Sequence, residues 1–535
     1  MARTIRICSL LLLLIPAAAE ARRPDASAVS AYVRARVADS SGQSVLAVEN
    51  YAAALAADPG NATIAFRAYR EAVEAGNFPL AVRAATTLDA SGVIPPDAHI
   101  LLYIAALQTR DWAEAAARLK ILSGEAGLAF LAPMFGRWLE TTTKTPFVLH
   151  GSKAVDRSFN AYVDENEALI ALSRGDLSNS VTAIKGMWAL DPYRAGSLRL
   201  AAAARLAELR QRERALDLIV AEDSAADNAR TLIGKGKKIG VAVSSASDGA
   251  AFLLARVAGD LLVEGSGRSA LTIARMAEFA DPANARMRLM VAGALDVRKR
   301  HDLALVIVDT LVTDPVYGDD AASFRITQLE GLGRFDEALA AARTRAVKSS
   351  NDQGRIGDIE LRRRNFAAAA VAYQMALDAS GNKAAWPLIF ATANAYDNAG
   401  SWSAAKPLLE RALVMAPDEA AILNELGYGM IITGEGVDRG LALVSKAAML
   451  RPDDAAIIDS LGWAQYKRGA FSQAVPLLER AVRLNQAQPE IGEHLGDAYW
   501  AEGRRVDARY AWAAARVQAQ GDATARLDGK IAGQR

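Results

Sequence analysis

The sequence predicts an all-α protein built from about thirteen repeated pairs of helices. Three observations support this prediction. Glycines recur every 34 or 35 residues towards the C-terminus, small residues recur at a similar period through most of the chain, and prolines follow the ends of two units. Such a period is typical of helix–turn–helix units, each of which buries its apolar face against the next unit.

The composition is that of a folded chain. The protein has 535 residues, of which 52% are hydrophobic and 23% charged, with a net charge of +1. This apolar fraction at so low a net charge excludes intrinsic disorder. The balance of charges argues against a nucleic-acid partner, which would favour a basic excess. A single cysteine, Cys8, excludes a disulfide scaffold.

The first element, residues 1–21, is predicted to be a secretory signal peptide. Two arginines precede a 13-residue apolar run at residues 7–19, and small residues follow at Ala17-Ala18-Ala19 and again at Ala19-Glu20-Ala21. A membrane span needs about 20 apolar residues, so we expect cleavage after Ala21 rather than an uncleaved anchor. Cys8 lies at the start of the run, where it cannot serve as a lipid-attachment site. The protein is therefore expected to be periplasmic and not lipidated, with no transmembrane segment in the mature chain.

The repeat is clearest near the C-terminus. Gly427, Gly462 and Gly496 each follow a leucine in the first helix of a unit, 35 and 34 residues apart. A glycine here allows the two helices of a unit to approach closely. A second series marks the turn between the helices, where a positive φ favours glycine: Gly400, Gly434, Gly469 and Gly503.

A small residue early in the second helix extends this register upstream. The series runs Ala47, Ala81, Ala115, Ser180, Ala215, Ala270, Ala304, Ala338, Ala369, Ala405, Gly440, Ala474 and Ala508. Two wide gaps interrupt it, one at an irregular helical insert and one at a basic, glycine-rich linker, residues 234–240. Pro407 and Pro476 are expected in the first turn of their second helices, where no N–H group is needed.

These residues resemble the tetratricopeptide repeat family, whose unit is a 34-residue helical hairpin. The resemblance implies a right-handed superhelical solenoid. The stretch from Asp459 to Trp500, with its Leu461-Gly462-Trp463 motif, also resembles exported tetratricopeptide proteins of Gram-negative bacteria. That group includes outer-membrane lipoproteins that act as adaptors for a carboxyl-terminal processing protease. This chain departs from them in lacking a lipid-attachment cysteine.

The sequence divides into six predicted segments. They are the signal peptide (1–21), N-terminal repeats (22–120), an irregular helical insert (121–165), degenerate repeats (166–385), well-formed repeats (386–517) and a C-terminal polar cap (518–535).

No pattern in the sequence predicts catalysis, a cofactor or a metal. The four histidines are far apart and none has the spacing of metal ligands. The 234–240 linker lacks the spacing of a phosphate-binding loop. Because the repeats fill nearly the whole chain, no segment remains for a catalytic domain. A hydrolase or transferase hidden in residues 121–165 is the alternative from a different class.

Function is therefore expected on the concave side, which the first helices of the repeats line. We call the surface formed there by residues 386–501 the groove face. The residues predicted to contact a partner on it are Asn394, Asp397, Asn424, Tyr428, Asp459, Trp463, Tyr466, Lys467, Glu493, Asp497 and Trp500. Amides and carboxylates among aromatic rings suit an extended peptide, and the acidic members favour a basic or neutral segment. Packing of Trp463 and Trp500 against the next repeat is the alternative.

The sequence thus favours an exported, non-enzymatic scaffold or adaptor that binds protein or peptide partners in this groove. By its resemblance, it would present clients to a periplasmic protease or envelope complex. The alternative is an envelope-assembly factor for polysaccharide or outer-membrane protein biogenesis.

Overall fold

The computed structural model describes residues 26–147, 159–190, 192–220, 223–346 and 350–533. In these ranges the regular elements are 29 α-helices and one short 3-10 turn, with no strand, so the all-α prediction is confirmed. No helix in the described ranges is long and apolar enough to cross a membrane. The predicted signal peptide, residues 1–21, lies outside the described residues.

The chain forms two compact units, which divide between Leu332 and Gly333. The helices of unit 1 are α1 (Ala26–Ser40), α2 (Ser44–Ala57), α3 (Ala62–Ala75), α4 (Phe78–Ala90), α5 (Pro96–Thr109), α6 (Trp112–Leu122), α7 (Leu131–Thr143), α8 (Asn160–Ser173), α9 (Leu177–Leu190), α10 (Pro192–Glu208), α11 (Arg212–Leu218), α12 (Ser224–Gly234), α13 (Ala246–Val263), α14 (Gly267–Ala280), α15 (Ala285–Val297), α16 (His301–Asp309) and α17 (Gly318–Gly331).

Unit 2 holds the remaining helices. They are α18 (Phe335–Ala346), α19 (Ser350–Arg362), α20 (Phe366–Ser380), α21 (Trp386–Asn398), α22 (Trp402–Met415), α23 (Ala420–Thr433), α24 (Val437–Leu450), α25 (Ala455–Lys467), α26 (Phe471–Leu484), α27 (Pro489–Ala501), α28 (Arg505–Gln518) and α29 (Asp522–Ile531). The predicted segment boundaries at residues 120, 165 and 385 stay predictions.

The small-residue series locates the second helix of each of the thirteen pairs. All thirteen members are buried, and they lie on α2, α4, α6, α9, α11, α14, α16, α18, α20, α22, α24, α26 and α28. Twelve of these helices pack against a preceding first helix in the same unit; the eighth pair, α17 and α18, is divided by the unit boundary. Three described helices, α7, α12 and α29, stand outside the pairs.

Close approach of paired helices explains the first-helix glycines. A Cβ atom on Gly427 would lie 2.7 Å from the carbonyl oxygen of Gly440, and a Cβ on Gly440 would lie equally close to the Gly427 carbonyl. Neither backbone can move aside without separating α23 from α24. The turn glycines are also as predicted, since Gly400 and Gly434 have φ values of +77° and +74°.

The position of two prolines differs from expectation. Pro407 and Pro476 are each the sixth residue of their helices, α22 and α26, and so lie in the second turn rather than the first. A proline there leaves the carbonyl four residues earlier, on Ser403 or Ser472, without its helical partner. Both serines are exposed, so water can bond the carbonyl and the helix continues.

The two interruptions of the repeat are connectors flanked by helices. Between α12 and α13 the chain runs without a helix over residues 235–245, which includes most of the glycine-rich linker. In the predicted insert, α6 ends at Leu122, α7 follows, and α8 begins at Asn160. Residues 148–158 of that insert lie outside the described residues.

After the second connector, the chain of unit 1 packs back on its own beginning. Helices α13 and α14 contact α3, α5, α7 and α8. The side-chain amide of Gln108 donates to the carbonyl of Phe279 at 2.5 Å, and the Phe78 and Phe279 rings lie 5.0 Å apart. Arg256 on α13 makes a buried, bidentate ion pair with Glu165 on α8.

Candidate functional site

The groove face is built from the first helices of four successive hairpins, α21, α23, α25 and α27. Since one hairpin spans 34 or 35 residues, equivalent positions fall on the same side of each first helix. Local caps fix where these helices begin: the Asp454 carboxylate accepts from the N–H groups of Ala456 and Ile457 at the start of α25. Pro489 is the first residue of α27, a position that favours proline because an N–H group there would have no partner within the helix.

At its N-terminal end the groove face carries a pair of carboxyl groups. Asn394 on α21 donates to Glu425 on α23 at 3.2 Å, and Glu425 is also hydrogen-bonded to Asp397. Burial, reinforced by the nearby charge of Asp397, raises the pKa of Glu425 to about 7. Burial raises the pKa of Asp397 as well. Near neutral pH the pair therefore shares a proton, and a cation placed beside it would favour ionisation of both groups.

Tyr428 lies between this pair and the acidic groups further along. Its hydroxyl lies 3.4 Å from the Glu490 carboxylate on α27. Burial raises the pKa of the Tyr428 phenol, and the negative charges of Glu490, Asp459 and Asp397 raise it further. The phenol therefore stays neutral and can donate a hydrogen bond to a nearby carboxylate.

The middle of the groove face is a buried cluster around Trp463. Its indole ring is stacked between Tyr466, at a centroid distance of 4.4 Å, and His494, at 3.9 Å. The Lys467 ammonium lies 5.1 Å from the same ring. His494 Nδ1 donates to Asp459 Oδ2 at 2.8 Å, because an ionised carboxylate can only accept.

Two polar atoms of this cluster are buried and have no hydrogen-bond partner among the described residues. They are Asp459 Oδ1 and Trp463 Nε1, on side chains that are 6% and 8% exposed. Leaving such atoms unpaired costs about 1–3 kcal/mol each. The side-chain oxygen of the nearby, half-buried Asn424 is also buried and has no hydrogen-bond partner among the described residues. The cluster therefore holds one donor and two acceptors that a bound molecule can reach only when the side chains covering them move aside.

The C-terminal end of the groove face is covered by the final helix. Arg526 and Lys530 on α29 bond Glu493 at 2.8 Å and 2.7 Å, and Lys530 also bonds Asp497. Burial opposes ionisation of Glu493, but these hydrogen bonds outweigh it and lower its pKa to about 2. Trp500 lies 5.5 Å from the ring of Trp512. These three predicted contact residues, Glu493, Asp497 and Trp500, are thus engaged within the protein.

Sequence reasoning omitted three residues that belong to this site: Glu425, Glu490 and His494. Two of them were visible as a further series, because the position before each Leu-Gly pair reads Glu425, Ser460 and His494 at steps of 35 and 34. Tyr428 lies two hairpins before Glu490, and no feature of the repeat sequence predicts that the two side chains are in contact.

No group of three or more potential metal ligands occurs among the residues that the structure describes. His99 is buried beside Glu125, and His301 lies beside Asp296 and Gln328. His150 falls outside the described ranges.

The groove face coincides with a family match. Residues 390–428 and 460–523 match the model of the tetratricopeptide repeat. These segments are tetratricopeptide repeats. They include most of α21, α23 and α25 and all of α27, so the groove face consists largely of the first helices of recognised repeats.

Several solved structures are similar to the chain. The thermophilic TPR protein TTC0263 of Thermus thermophilus is 20% identical, with 35% of this chain and 98% of that chain covered and a TM-score of 0.31. PilF of Pseudomonas aeruginosa is 20% identical over 35% of this chain and 85% of its own, with a TM-score of 0.28. The APC/C hetero-tetramer Cut9-Hcn1 is 14% identical, covering 94% and 96%, with a TM-score of 0.38. No curated relative matches the chain.

Proposed function

We propose that this protein is an exported, non-enzymatic scaffold whose groove face binds an extended, basic segment of a partner protein. In the cell it would act as an adaptor that presents such clients to a periplasmic protease or envelope complex. The observation that supports binding most directly is the buried pair of unpaired atoms, Asp459 Oδ1 and Trp463 Nε1. Tetratricopeptide repeats are protein-interaction modules, which agrees with this role.

The partner's backbone accounts for the unpaired atoms. An extended peptide presents N–H and C=O groups at regular intervals. Once the side chains that cover these atoms move aside, one N–H can bond Asp459 and one C=O can accept from Trp463. Bonds of this kind recover the cost of burying polar atoms. They require a donor and an acceptor on the same ligand, which a peptide backbone has.

The partner's charge follows from the carboxyl groups. Asp397 and Glu425 lie on one side of Tyr428, and Glu490 and Asp459 interact with it as well. A lysine or arginine side chain placed there would form charge-assisted hydrogen bonds and would bring the pKa of Glu425 down from about 7. A free C-terminal carboxylate would be repelled.

A direct test uses the full-length mature protein and two synthetic peptides. A ten-residue peptide alternating lysine with leucine is expected to bind, and its glutamate counterpart is expected not to bind. Binding should weaken as salt rises, because screening reduces the attraction between charges. The isosteric variant Asp397→Asn/Glu425→Gln should weaken the basic peptide at least about tenfold, the equivalent of one lost charge-assisted bond. Equal binding of the two peptides would show that the carboxyl groups of the groove face do not select a basic partner.

The cellular test places a photo-crosslinking phenylalanine derivative at Lys467, which is exposed on the groove face. Tyr510 on α28 is 74% exposed and provides the matched control position. Crosslinked proteins are expected from position 467 and not from position 510, and the isosteric double variant should lose them. Identical crosslinks at both positions would contradict the groove proposal.

Export is tested separately. Protein recovered from the periplasm by osmotic shock should have an N-terminus at Arg22, the first residue after the predicted cleavage site. Unprocessed chain in the cytosolic fraction would overturn the compartment while leaving the binding test intact.

The packing of Trp463 disfavours the alternative of a polysaccharide client. Both faces of this indole are covered, by Tyr466 and His494. A sugar ring that stacks on an aromatic side chain needs an open face, so this tryptophan offers a glycan no such surface. Titration with purified envelope polysaccharide is expected to show no binding; saturable binding would favour the envelope-assembly role.

A further inference from the structure

The fold of unit 1 forms a half-open cavity that the proposed function does not use. Its volume is about 590 Å³, and its lining comes from α3, α5, α8, α13, α14 and the chain between α6 and α7. The return of α13 and α14 onto α3 and α5 brings these walls together. Sites for small organic ligands typically measure about 300–1,000 Å³, so the cavity has the size of a ligand site.

The interior is apolar, with aromatic rings on one part of its lining. Phe130 and Phe159 stack at a centroid distance of 4.2 Å, and Tyr162 lies 6.0 Å from Phe130. Aliphatic side chains from α13 and α14, such as Leu261 and Leu271, complete the lining. Such a surface gains free energy by covering an apolar body, at about 25 cal/mol for each Å² removed from water.

The two aspartates of the lining are already engaged. The Tyr69 hydroxyl donates to Asp97, and the Tyr162 hydroxyl donates to Asp260. These phenols supply hydrogen bonds that stabilise the carboxylates within the wall. Each aspartate therefore has a hydrogen-bond donor within the lining.

Several arginines lie where α3 ends and α14 begins. Arg298 and the neighbouring Arg300 pair with Glu74 at 2.9 Å and 3.1 Å, and Arg300 also pairs with Asp302 at 3.1 Å. Arg70 lies one turn before Glu74 on α3. Arg268 directly follows Gly267, which packs against Arg298. Both line the cavity, and neither guanidinium group makes a hydrogen bond or ion pair with a residue that the structure describes, although the charge of Arg70 interacts with that of Glu71. The whole lining holds three arginines and four carboxylates, Glu74, Asp97, Asp260 and Glu264, so the two available guanidinium groups, and not an excess of positive charge, mark the place for an anion.

We propose that this cavity binds a small amphipathic anion, with its apolar body among the aromatic rings and its carboxylate or phosphate headgroup at Arg70 and Arg268. Guanidinium groups match both headgroups with paired N–H donors. A neutral apolar molecule would fill the interior but leave both arginines without a partner. A cationic amphiphile would meet like charge at the same place.

The test is calorimetric titration of the full-length mature protein with four probes of equal chain length, each below its micelle concentration. Decanoate and decyl phosphate carry the two acidic headgroups, decanol is neutral, and decyltrimethylammonium is cationic. Decanoate or decyl phosphate should bind with one-to-one stoichiometry, and whichever binds tighter identifies the headgroup. Failure of both anions to saturate at one site, or equal affinity for the cation, would overturn the proposal.

Variants locate the headgroup. Arg70→Gln/Arg268→Gln should weaken the bound anion at least about tenfold, the loss expected for charge-assisted hydrogen bonds, while decanol affinity stays the same. Arg67→Gln, one turn earlier on α3 and outside the lining, is the matched control and should bind as the wild type does. Unchanged anion affinity in the double variant would refute the assignment.

Covalent labelling locates the apolar body independently. A decanoate analogue with a photoactivatable diazirine on its chain should label peptides from α8, α13 or α14, as read by mass spectrometry. Labelling confined to unit 2 would place the anion elsewhere and contradict the proposal.

Discussion

The two units use the same helical hairpin and reach different architectures. In unit 2, helices pack on their neighbours in the chain and on the first helix of the next hairpin. In unit 1, α13 and α14 return to helices formed over a hundred residues earlier, as in the bond from Arg275 to the carbonyl of Glu74, 201 residues apart. The return follows the 235–245 connector, where the period is broken. A regular period produces the groove face in unit 2, and a broken period allows the return that forms a half-open cavity in unit 1.

One ion pair between hairpins from each unit shows how widely such contacts differ in burial. The Arg256–Glu165 pair of unit 1 is 10% and 5% exposed, whereas the Arg480–Asp453 pair between hairpins of unit 2 is 42% and 83% exposed. Buried pairs are costly to break and exposed ones contribute little. Breaking the Arg256–Glu165 pair is therefore expected to cost more than breaking the Arg480–Asp453 pair.

The largest expected effect tests whether unit 1 unfolds as a whole. Trp138 on α7 is fully buried, packs on Gly249 of α13 and donates to Asn166 of α8 at 2.8 Å. Trp138→Ala should cost about 3–5 kcal/mol. Hydrogen exchange should then rise throughout unit 1 and stay low in unit 2.

The matched variant in unit 2 is Trp512→Ala, which removes an equally buried tryptophan from α28. Because contacts there are local, faster exchange should be confined to the last hairpin and α29. Exchange that rises across unit 2 would contradict the contrast between the units.

The next prediction compares the two ion pairs. Arg256→Met leaves Glu165 buried without its main partner and should destabilise the protein by about 3 kcal/mol. Arg480→Met should change the free energy of unfolding by no more than about 1 kcal/mol. Urea unfolding measures both, and equal effects would show that burial does not distinguish the pairs.

A smaller effect separates two glycines of unit 2. Gly427→Ala places its methyl group 2.7 Å from a backbone carbonyl, whereas Gly462→Ala meets Cγ and Cδ2 of the buried Leu478 side chain at 2.7 Å and 2.8 Å. Repacking one side chain costs less than shifting a helix backbone, so Gly427→Ala should cost about 1–3 kcal/mol and Gly462→Ala less. Thermal unfolding of the two variants provides the comparison, and the reverse order would argue that α23 and α24 separate easily.

The last prediction is a pH dependence of stability that arises on the groove face. Folding raises the pKa of Glu425 to about 7 from its ordinary value of 4.5, so the folded state binds the extra proton between these values. Stability from this group is fully present below pH 4.5 and falls as pH rises to about 7, by at most about 1.4 kcal/mol per pH unit. The free energy of unfolding, measured by urea titration at about pH 5 and about pH 8, should decrease less between these two pH values in Glu425→Gln than in the wild type. An unchanged slope would contradict the assignment.

Much of the fold was predictable because helix pairing is a local property with a fixed period. The small-residue series located thirteen second helices, and Gly400 and Gly434 were recognisable as turn residues from their spacing alone. The second-turn positions of Pro407 and Pro476 were not predicted, since helix starts depend on caps outside the repeat.

The site was predictable only in part. Asn394, Tyr428 and Asp459 could be placed on one face by counting residues. The covering of Glu493 by Arg526 could not, because α29 lies outside the period. The stacking of Trp463 between Tyr466 and His494 likewise depends on which rotamers the neighbouring hairpin permits.

By itself, the sequence determined the helical hairpins, their register and the surface on which equivalent side chains align, because these follow from periodic contacts between neighbours in the chain. Only the tertiary structure decided the return of α13 and α14, the cavity that it forms and the raised pKa of Glu425. Those depend on contacts and burial between residues whose separation in the sequence follows no period.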